Sequence, residues 1–311
     1  MDVRSSPRTI VIALVALVVL IAAIALLAGR DVPSEAAEPL VRPNPVTGPF
    51  EGLGVWVDIY DREAWADPVA SVETMVANGA STLYLQSSNA DRLGPFVFEE
   101  ETAIFIDAAH DRGVQVVAWY LPHLTDLVVD RARTRAAITF TTPRGDRFDG
   151  FALDIESAEV RVPSRRNERL ATLSHRLREV AGDEYPLGAI VPSPVRLADD
   201  EVYWPGFPWE DLARTYDALL PMTYFTYRVN GPAEALGYVT KAVDEIRAGV
   251  GSDEVPIHVI GGLARDATGP ETIAFVRAVR ETGSIGASYY TLPFVSDEQW
   301  AILGRIGEEA V

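Results

Sequence analysis

The amino-acid sequence predicts an α/β protein, a (β/α)8 TIM barrel that follows an apolar N-terminal segment. From Gly52 onward, eight short apolar runs alternate with helical patterns. Eight such units in about 260 residues match the usual size of this barrel. The turn after the first run, 59–62, reads Ile-Tyr-Asp-Arg, whereas a doubly wound open sheet usually carries a glycine-rich phosphate turn there. The barrel is therefore favoured over the open sheet.

The N-terminal segment has the features of a membrane anchor. Ile10–Ala28 contains no polar or charged side chain, and as a helix its 19 residues would extend about 28 Å. Arg4 and Arg8 precede it, which favours residues 1–8 in the cytoplasm. We expect residues 9–29 to be an uncleaved single-pass transmembrane helix, with the following chain outside the cell at the cell membrane. A cleaved signal peptide is the alternative.

Residues 30–51 are rich in Pro, Glu and Ala and have no periodic pattern. This composition is typical of an extended, solvated linker. We therefore expect a short extracellular linker over 30–51 and the barrel over 52–311.

The balance of charge excludes one class of partner. The net charge is −18 and Lys241 is the single lysine. Nucleic acid is not an expected partner, because binding to phosphates requires clustered positive charge. The chain has no cysteine, which excludes disulfides and a thiol nucleophile.

The barrel elements can be assigned from local patterns. The eight predicted strands are Gly54–Tyr60, Ser81–Ser87, Val114–Leu121, Gly150–Ile155, Leu187–Val191, Ala218–Thr223, Ile257–Gly261 and Ala287–Leu292. Helix starts are indicated at Asp67-Pro68 and Gly269-Pro270, and by a capping box from Ser296 to Gln299. A long charged helix, Arg165–Val180, follows the fourth strand.

The fourth strand ends on two acids. The stretch Asp149–Glu156 reads Asp-Gly-Phe-Ala-Leu-Asp-Ile-Glu, and alternation along a strand directs Asp154 and Glu156 to the same face. Like charge and burial both disfavour ionisation of such a pair. A carboxyl group that retains its proton is suited to acid catalysis. The alternative is a structural pair satisfied by an arginine or by backbone N–H groups.

The other strand ends carry polar and aromatic side chains. The chemistry of such barrels lies at the C-terminal ends of the strands, and sugar ligands favour aromatic planes with a few polar groups. The predicted substrate-binding residues are Asp58, Tyr60, Gln86, Trp119, Tyr120, Met222 and Tyr290. Trp56 and Tyr84 lie in mid-strand and are expected to fill the barrel.

Metal and nucleophile chemistry have little support in the sequence. The histidines at 110, 123, 175 and 258 form no close ligand pair. No Gly-x-Ser-x-Gly motif occurs. We expect neither a metal nor another cofactor.

The acidic strand resembles the fourth-strand motif D-G-x-D-x-D-x-E of glycoside hydrolase family 18, the chitinase-like barrels. Met222-Thr223-Tyr224 resembles the family's sixth-strand M-x-Y-D, and Tyr290 lies near its eighth-strand aromatic position. The resemblance covers nearly all of 52–311. It implies that Glu156 is the general acid, that Asp154 orients an N-acetyl group of the substrate, and that Tyr224 binds the intermediate.

Two positions depart from the family pattern. Ala152 occupies the position of the middle Asp of the motif, and Phe225 that of the Asp in M-x-Y-D. We therefore expect a divergent glycoside hydrolase-like protein whose partner is an extracellular or cell-wall polysaccharide or oligosaccharide. The alternative is a catalytically inactive barrel that binds glycans or serves as an envelope scaffold.

Overall fold

The computed structural model of the chain describes residues 39–90 and 92–306. The predicted cytoplasmic segment 1–8 and the predicted anchor 9–29 lie outside the described residues. Within the described ranges, no helix combines the length and apolar character that crossing a membrane requires.

The described residues form eight parallel strands. These are β1 (Gly52–Val57), β2 (Thr82–Asn89), β3 (Gln115–Leu121), β4 (Gly150–Asp154), β5 (Leu187–Val191), β6 (Ala218–Pro221), β7 (His258–Leu263) and β8 (Gly286–Tyr290). Pairing runs in sequence order from β1 to β6, and β1 and β7 both pair with β8. Two parallel bridges, Leu219–Ile257 and Met222–Ile260, join β6 to β7 and close the ring. The predicted barrel is confirmed.

The helices pack around the strands. They are α1 (Arg62–Ala66), α2 (Pro68–Ala77), α3 (Glu99–His110), α4 (Leu127–Thr139), α5 (Pro163–Ala181), α6 (Pro194–Asp199), α7 (Trp209–Thr215), α8 (Pro232–Val250), α9 (Gly269–Glu281) and α10 (Asp297–Leu303). Asp67 caps α2, and Ser296 forms the predicted capping box with Gln299. A second capping box joins Thr268 to Glu271 at the start of α9. The predicted helix starts are therefore confirmed.

The barrel interior is packed with large side chains over small ones. The rings of Trp56 and Tyr84 stack with centroids 4.2 Å apart, as expected for residues that fill the barrel. Gly188 leaves room for its neighbours, because a Cβ there would lie 2.8 Å from both Leu220 and Phe50. Side chains of the interior cluster therefore fill the barrel below the strand ends.

The second half of the predicted linker differs from the solvated segment that we expected. Phe50 is fully buried in the interior cluster of the barrel. The Arg42 guanidinium lies 2.9 Å from the carboxylate of Asp217, which also accepts a hydrogen bond from Arg178 at 2.6 Å. Pro-rich composition indicated an extended chain, but the buried ring of Phe50 and the two ion pairs of Arg42, with Asp183 and Asp217, hold residues 42–50 on the barrel.

Candidate active site

A pocket opens at the C-terminal ends of the strands. Its volume is about 290 Å³, at the lower limit of typical ligand pockets. Side chains from seven of the eight strands and from the loops after them surround it. The lining residues are Trp56, Tyr60, Gln86, Asn89, Trp119, Leu121, Asp154, Glu156, Ile190, Met222, Tyr224, Tyr227, Ile260, Leu263 and Tyr290.

The acid pair is the electrostatic centre of this pocket. Asp154 is the last residue of β4 and is 5% exposed, whereas the side chain of Glu156 reaches solvent. Burial, and then the charge of Glu156, raise the pKa of Asp154 well above its ordinary value. Although Glu156 is partly solvated, desolvation by the surrounding protein also raises its pKa. The pair therefore retains a proton at a pH where isolated carboxyl groups would be ionised.

Two buried polar atoms of the pocket lack hydrogen-bond partners among the described residues. Oδ1 of Asp154 and Nε1 of Trp119 are both buried, and neither forms a hydrogen bond to another described residue. The Glu156 carboxylate likewise forms no ion pair with the arginines of 39–90 and 92–306. A ligand that offers an acceptor to the indole and a polar group to the carboxyl would satisfy both buried atoms.

Three tyrosines form one wall. The Tyr224 ring lies 6.4 Å from that of Tyr290 and 6.2 Å from that of Tyr227. Tyr224 has φ +35°, a left-handed conformation that costs energy for a residue with a side chain. Burial, and then the charges of Asp154 and Glu156, raise the pKa of the Tyr224 phenol, which remains a hydrogen-bond donor.

Asp58 supports the wall. Tyr290 donates a hydrogen bond of 2.6 Å to the carboxylate of Asp58, which also accepts one from the Tyr60 amide. Asp58 is 9% exposed and does not line the pocket. The structure therefore brings Asp58 to the site as a support for Tyr290.

Three more predicted residues line the pocket. The Gln86 side-chain oxygen accepts a hydrogen bond of 3.0 Å from the Ile59 amide, which leaves the Gln86 amide group as a potential donor. Tyr60 is 64% exposed at the rim, and Met222 packs in the interior cluster beneath the pocket. These residues form a mixed polar and apolar surface.

The prediction for Tyr120 is wrong. Its neighbour Trp119 faces the pocket, so alternation along β3 directs Tyr120 toward the helices. The Tyr120 hydroxyl donates a hydrogen bond of 2.6 Å to Asp130 and accepts one of 3.3 Å from Arg133, both on α4. Tyr120 therefore belongs to the layer between barrel and helices.

Three further positions of the family motifs do not line the pocket. Ala152 is fully buried inside the barrel below Asp154, so the carboxyl has no acidic neighbour beneath it. Phe225 faces the opposite way and packs on Phe275 and Tyr289 outside the barrel. Asp149 lies at the N-terminal end of β4, where it accepts a hydrogen bond of 2.9 Å from a ring nitrogen of His110. The acid pair is thus the part of the motif that reaches the pocket.

Sequence reasoning missed Tyr203. This residue lies in the loop between α6 and α7, and its hydroxyl donates a hydrogen bond of 3.0 Å to the backbone carbonyl of Glu156. The guanidinium of Arg196 stacks on the Tyr203 ring at 3.8 Å. Tyr203 therefore holds the backbone that carries the second acid, although nothing in the local pattern of the loop indicates this role.

Within the described residues, no group of three or more His, Asp or Glu side chains is arranged to hold a metal ion. His258 is fully buried below the pocket, bonded to the Phe50 carbonyl at 2.8 Å and to Ser288 at 2.9 Å. Burial lowers its pKa to about 4. The available chemistry is that of carboxyl, phenol, indole and amide groups.

Comparison with known proteins identifies the fold. The sequence matches no protein-family profile and no curated protein. Among solved structures, a chitinase from Chromobacterium violaceum is 14% identical with a TM-score of 0.57, covering 84% of this chain and 100% of its own. A family 18 chitinase from Cycas revoluta, in complex with (GlcNAc)3, is 13% identical with a TM-score of 0.58, covering 82% and 98%.

The similarity extends beyond chitinases. The endo-β-1,4-mannanase of Thermotoga petrophila is 11% identical with a TM-score of 0.62, covering 85% of this chain and 78% of its own. The resemblance to chitinase-like and related glycoside hydrolase barrels, inferred from the motifs, is therefore confirmed at the level of the fold. The low identities mark this chain as divergent.

Proposed function

We propose that this chain is a glycoside hydrolase that cleaves a glycosidic bond in an extracellular or cell-wall polysaccharide. The observation that supports this most directly is the position of the acid pair, because Asp154 and Glu156 line an aromatic pocket where burial raises the pKa of both carboxyl groups. A protonated carboxyl group that no cation neutralises is suited to donating its proton to a leaving oxygen. The solved structures that share the fold include enzymes named for chitin and mannan.

The roles follow from position. Glu156 reaches solvent and is the general acid that protonates the glycosidic oxygen. Asp154 lies deeper and orients the substrate, in a retaining reaction where an N-acetyl group serves as nucleophile if the sugar carries one. Tyr224 donates a hydrogen bond to the intermediate. In this chain Ala152 replaces a third acid, so Glu156 is the group with which Asp154 shares its proton.

The test is the activity of Glu156→Gln on chromogenic chito-oligosaccharides, manno-oligosaccharides and cell-wall fragments. A general acid contributes about 10²–10⁴-fold in rate, and we expect a loss of that size. Glu159→Gln is the matched control, because Glu159 is an exposed acid of the same loop. Equal activity of the wild type and Glu156→Gln would remove Glu156 from the mechanism.

Two sequence features favour a second candidate, a catalytically inactive glycan-binding barrel. Ala152 and Phe225 both replace acids of the family pattern. Calorimetry with the same oligosaccharides separates the candidates, because a pure binding protein binds without turnover and tolerates Glu156→Gln.

We also propose that residues 9–29 hold the chain in the cell membrane with the barrel outside. The support is the apolar run Ile10–Ala28 and the arginines before it. The full chain should sediment with membranes, resist extraction by alkali, and expose its barrel to protease added to intact cells. Release of the barrel into the medium would favour the cleaved signal peptide.

A further inference from the structure

A second groove lies beside the pocket and has no role in the reaction described above. Its volume is about 630 Å³, and it lies between the loops that follow β1 and β2. The side chains that give it chemical character are Tyr60, Arg62, Trp65, Arg92, Phe98 and Glu101. Because Tyr60 lines both the groove and the pocket, a ligand longer than one ring can occupy both.

The groove presents aromatic surface. Tyr60 is 64% exposed and Phe98 is 43% exposed, and the ring of Phe98 packs on Trp65 at 4.8 Å. Trp65 is itself fixed, because its Nε1 donates a hydrogen bond of 2.7 Å to the Asp58 carbonyl. Phe98 has φ +49°, which a residue with a side chain rarely adopts. These rings are therefore held on the surface, where the C–H face of a sugar can stack on them.

The groove lining carries two guanidinium groups, those of Arg62 and Arg92, and one carboxylate, that of Glu101, on an acidic protein. Arg62 and Arg92 are exposed, and neither forms an ion pair with a carboxylate of the described residues. Several other surface arginines are paired, as Arg144 is with Asp111 at 2.8 Å and Arg277 with Glu281 at 2.7 Å. The Arg92 guanidinium lies 5.4 Å from the centre of the Tyr60 ring, so charge and aromatic surface adjoin.

The loop that carries Arg92 is anchored from behind. The buried guanidinium of Arg133 donates hydrogen bonds to the carbonyls of Arg92 and Gly94. Arg133 is 6% exposed and is itself bonded to the Tyr120 hydroxyl. The backbone at Arg92 is therefore fixed relative to the barrel, and its charge is held near the groove.

We propose that this groove binds a carboxylate-bearing sugar residue of the glycan whose adjacent residue occupies the pocket. The inference rests on the proposed function, since it takes the ligand in the pocket to be a glycan. Guanidinium groups bind carboxylates through paired, charge-assisted hydrogen bonds, and Tyr60 provides the stacking plane between the two sites. The substrate class is thus an anionic polysaccharide rather than a neutral one.

The test compares two tetrasaccharides on the full chain carrying Glu156→Gln, which prevents turnover. One is the neutral tetramer of N-acetylglucosamine, and the other has the same backbone with 3-O-lactyl ethers that add carboxylates. Calorimetry should give about tenfold or tighter binding of the lactylated tetramer, and the advantage should fall as salt increases.

Replacing both Arg62 and Arg92 with Gln should bring the two dissociation constants to about the same value. Arg135→Gln is the matched control, an exposed arginine on α4 outside the groove, and it should keep the preference. Equal binding of the two tetramers by the protein that retains Arg62 and Arg92 overturns the inference. The hydrolase proposal is then unaffected, because hydrolysis of the neutral tetramer by the wild type tests it separately. A preference that survives the double variant, or a stronger preference for a phosphorylated tetramer, also overturns it. Failure of both tetramers to bind overturns the inference, whereas the hydrolase proposal is still decided by the activity of the wild type on manno-oligosaccharides and cell-wall fragments.

Discussion

Replacing Asp61 with Asn isolates the cost of burying one carboxylate beside the pocket. Asp61 is 8% exposed; its Oδ2 accepts a hydrogen bond of 2.9 Å from the Asp58 amide and its Oδ1 one of 3.1 Å from Thr291. Burial, reinforced by the charge of Asp58, raises its pKa from 3.8 to about 6. At about 1.36 kcal/mol per pKa unit, this shift amounts to about 3 kcal/mol against the ionised folded state.

The sign of the pH dependence follows from which state of the chain, folded or unfolded, releases the Asp61 proton at the lower pH. The unfolded chain releases the Asp61 proton near pH 3.8 and the folded chain near 6, so this residue lowers the stability as pH rises between those values. Asn has no such proton. The free energy of unfolding of Asp61→Asn minus that of the wild type should therefore rise by about 2 kcal/mol between pH 4.5 and 8, because about 1 kcal/mol of the cost is already present at pH 4.5.

Urea unfolding of both proteins at the two pH values, followed by tryptophan fluorescence, measures this difference. The loss of one accepted hydrogen bond in Asn adds an offset of about 1 kcal/mol that does not change with pH. Protonation of His258, whose pKa is about 4, cancels because both proteins contain it. Asp253→Asn, at an exposed carboxylate, is the matched control for the loss of one charge. A difference for Asp61→Asn that stays constant or falls with pH refutes the reasoning.

Four further substitutions test other parts of the structure. Asp154→Asn should abolish hydrolysis, and in calorimetry it should raise the melting temperature more at pH 8 than at pH 5. The reason is that the pKa of Asp154 is raised in the folded state, so that ionisation of this carboxyl group favours unfolding. An unchanged or lower melting temperature of the variant at pH 8 would contradict this. Tyr120→Phe should lower the free energy of unfolding by about 1–3 kcal/mol, since Asp130 loses its phenol donor. The affinity for oligosaccharides should stay unchanged, and weaker binding would show that Tyr120 contributes to the pocket. Gly188→Ala should lower the free energy of unfolding by about 1–3 kcal/mol in urea, because the added methyl group overpacks the barrel interior. Gly237→Ala, in open space on α8, should instead raise it by about 0.5–1 kcal/mol. Similar effects at both sites would contradict the close packing described around Gly188.

The sequence predicted those features that depend on local patterns. All eight strands appear where apolar runs indicated them, and the caps at Asp67 and Ser296 are as expected. The acid pair could be predicted because alternation along one strand directs Asp154 and Glu156 to the same side. The same rule applied to β3 would have excluded Tyr120 once Trp119 was assigned to the pocket.

Long-range contacts account for what could not be predicted. Tyr203 reaches Glu156 from a loop 47 residues further along the chain, and that loop has no periodicity to reveal its path. The groove beside the pocket combines side chains from two separate loops, with Phe98 in a conformation that its residue type does not indicate. The fixed position of residues 42–50 depends on Asp217, which is distant in sequence.

Trp56 contributes both to the packing of the barrel and to the surface that a ligand meets. Its ring stacks on Tyr84 below and lines the pocket above, and Nε1 donates a hydrogen bond of 2.7 Å to Ser288. Truncating such a residue typically costs about 3–5 kcal/mol, so depth cannot be gained there without loss of stability. Adaptation of this scaffold to bulkier or longer ligands must therefore proceed through the rim loops, which can lengthen or change composition while the indole beneath them stays in place.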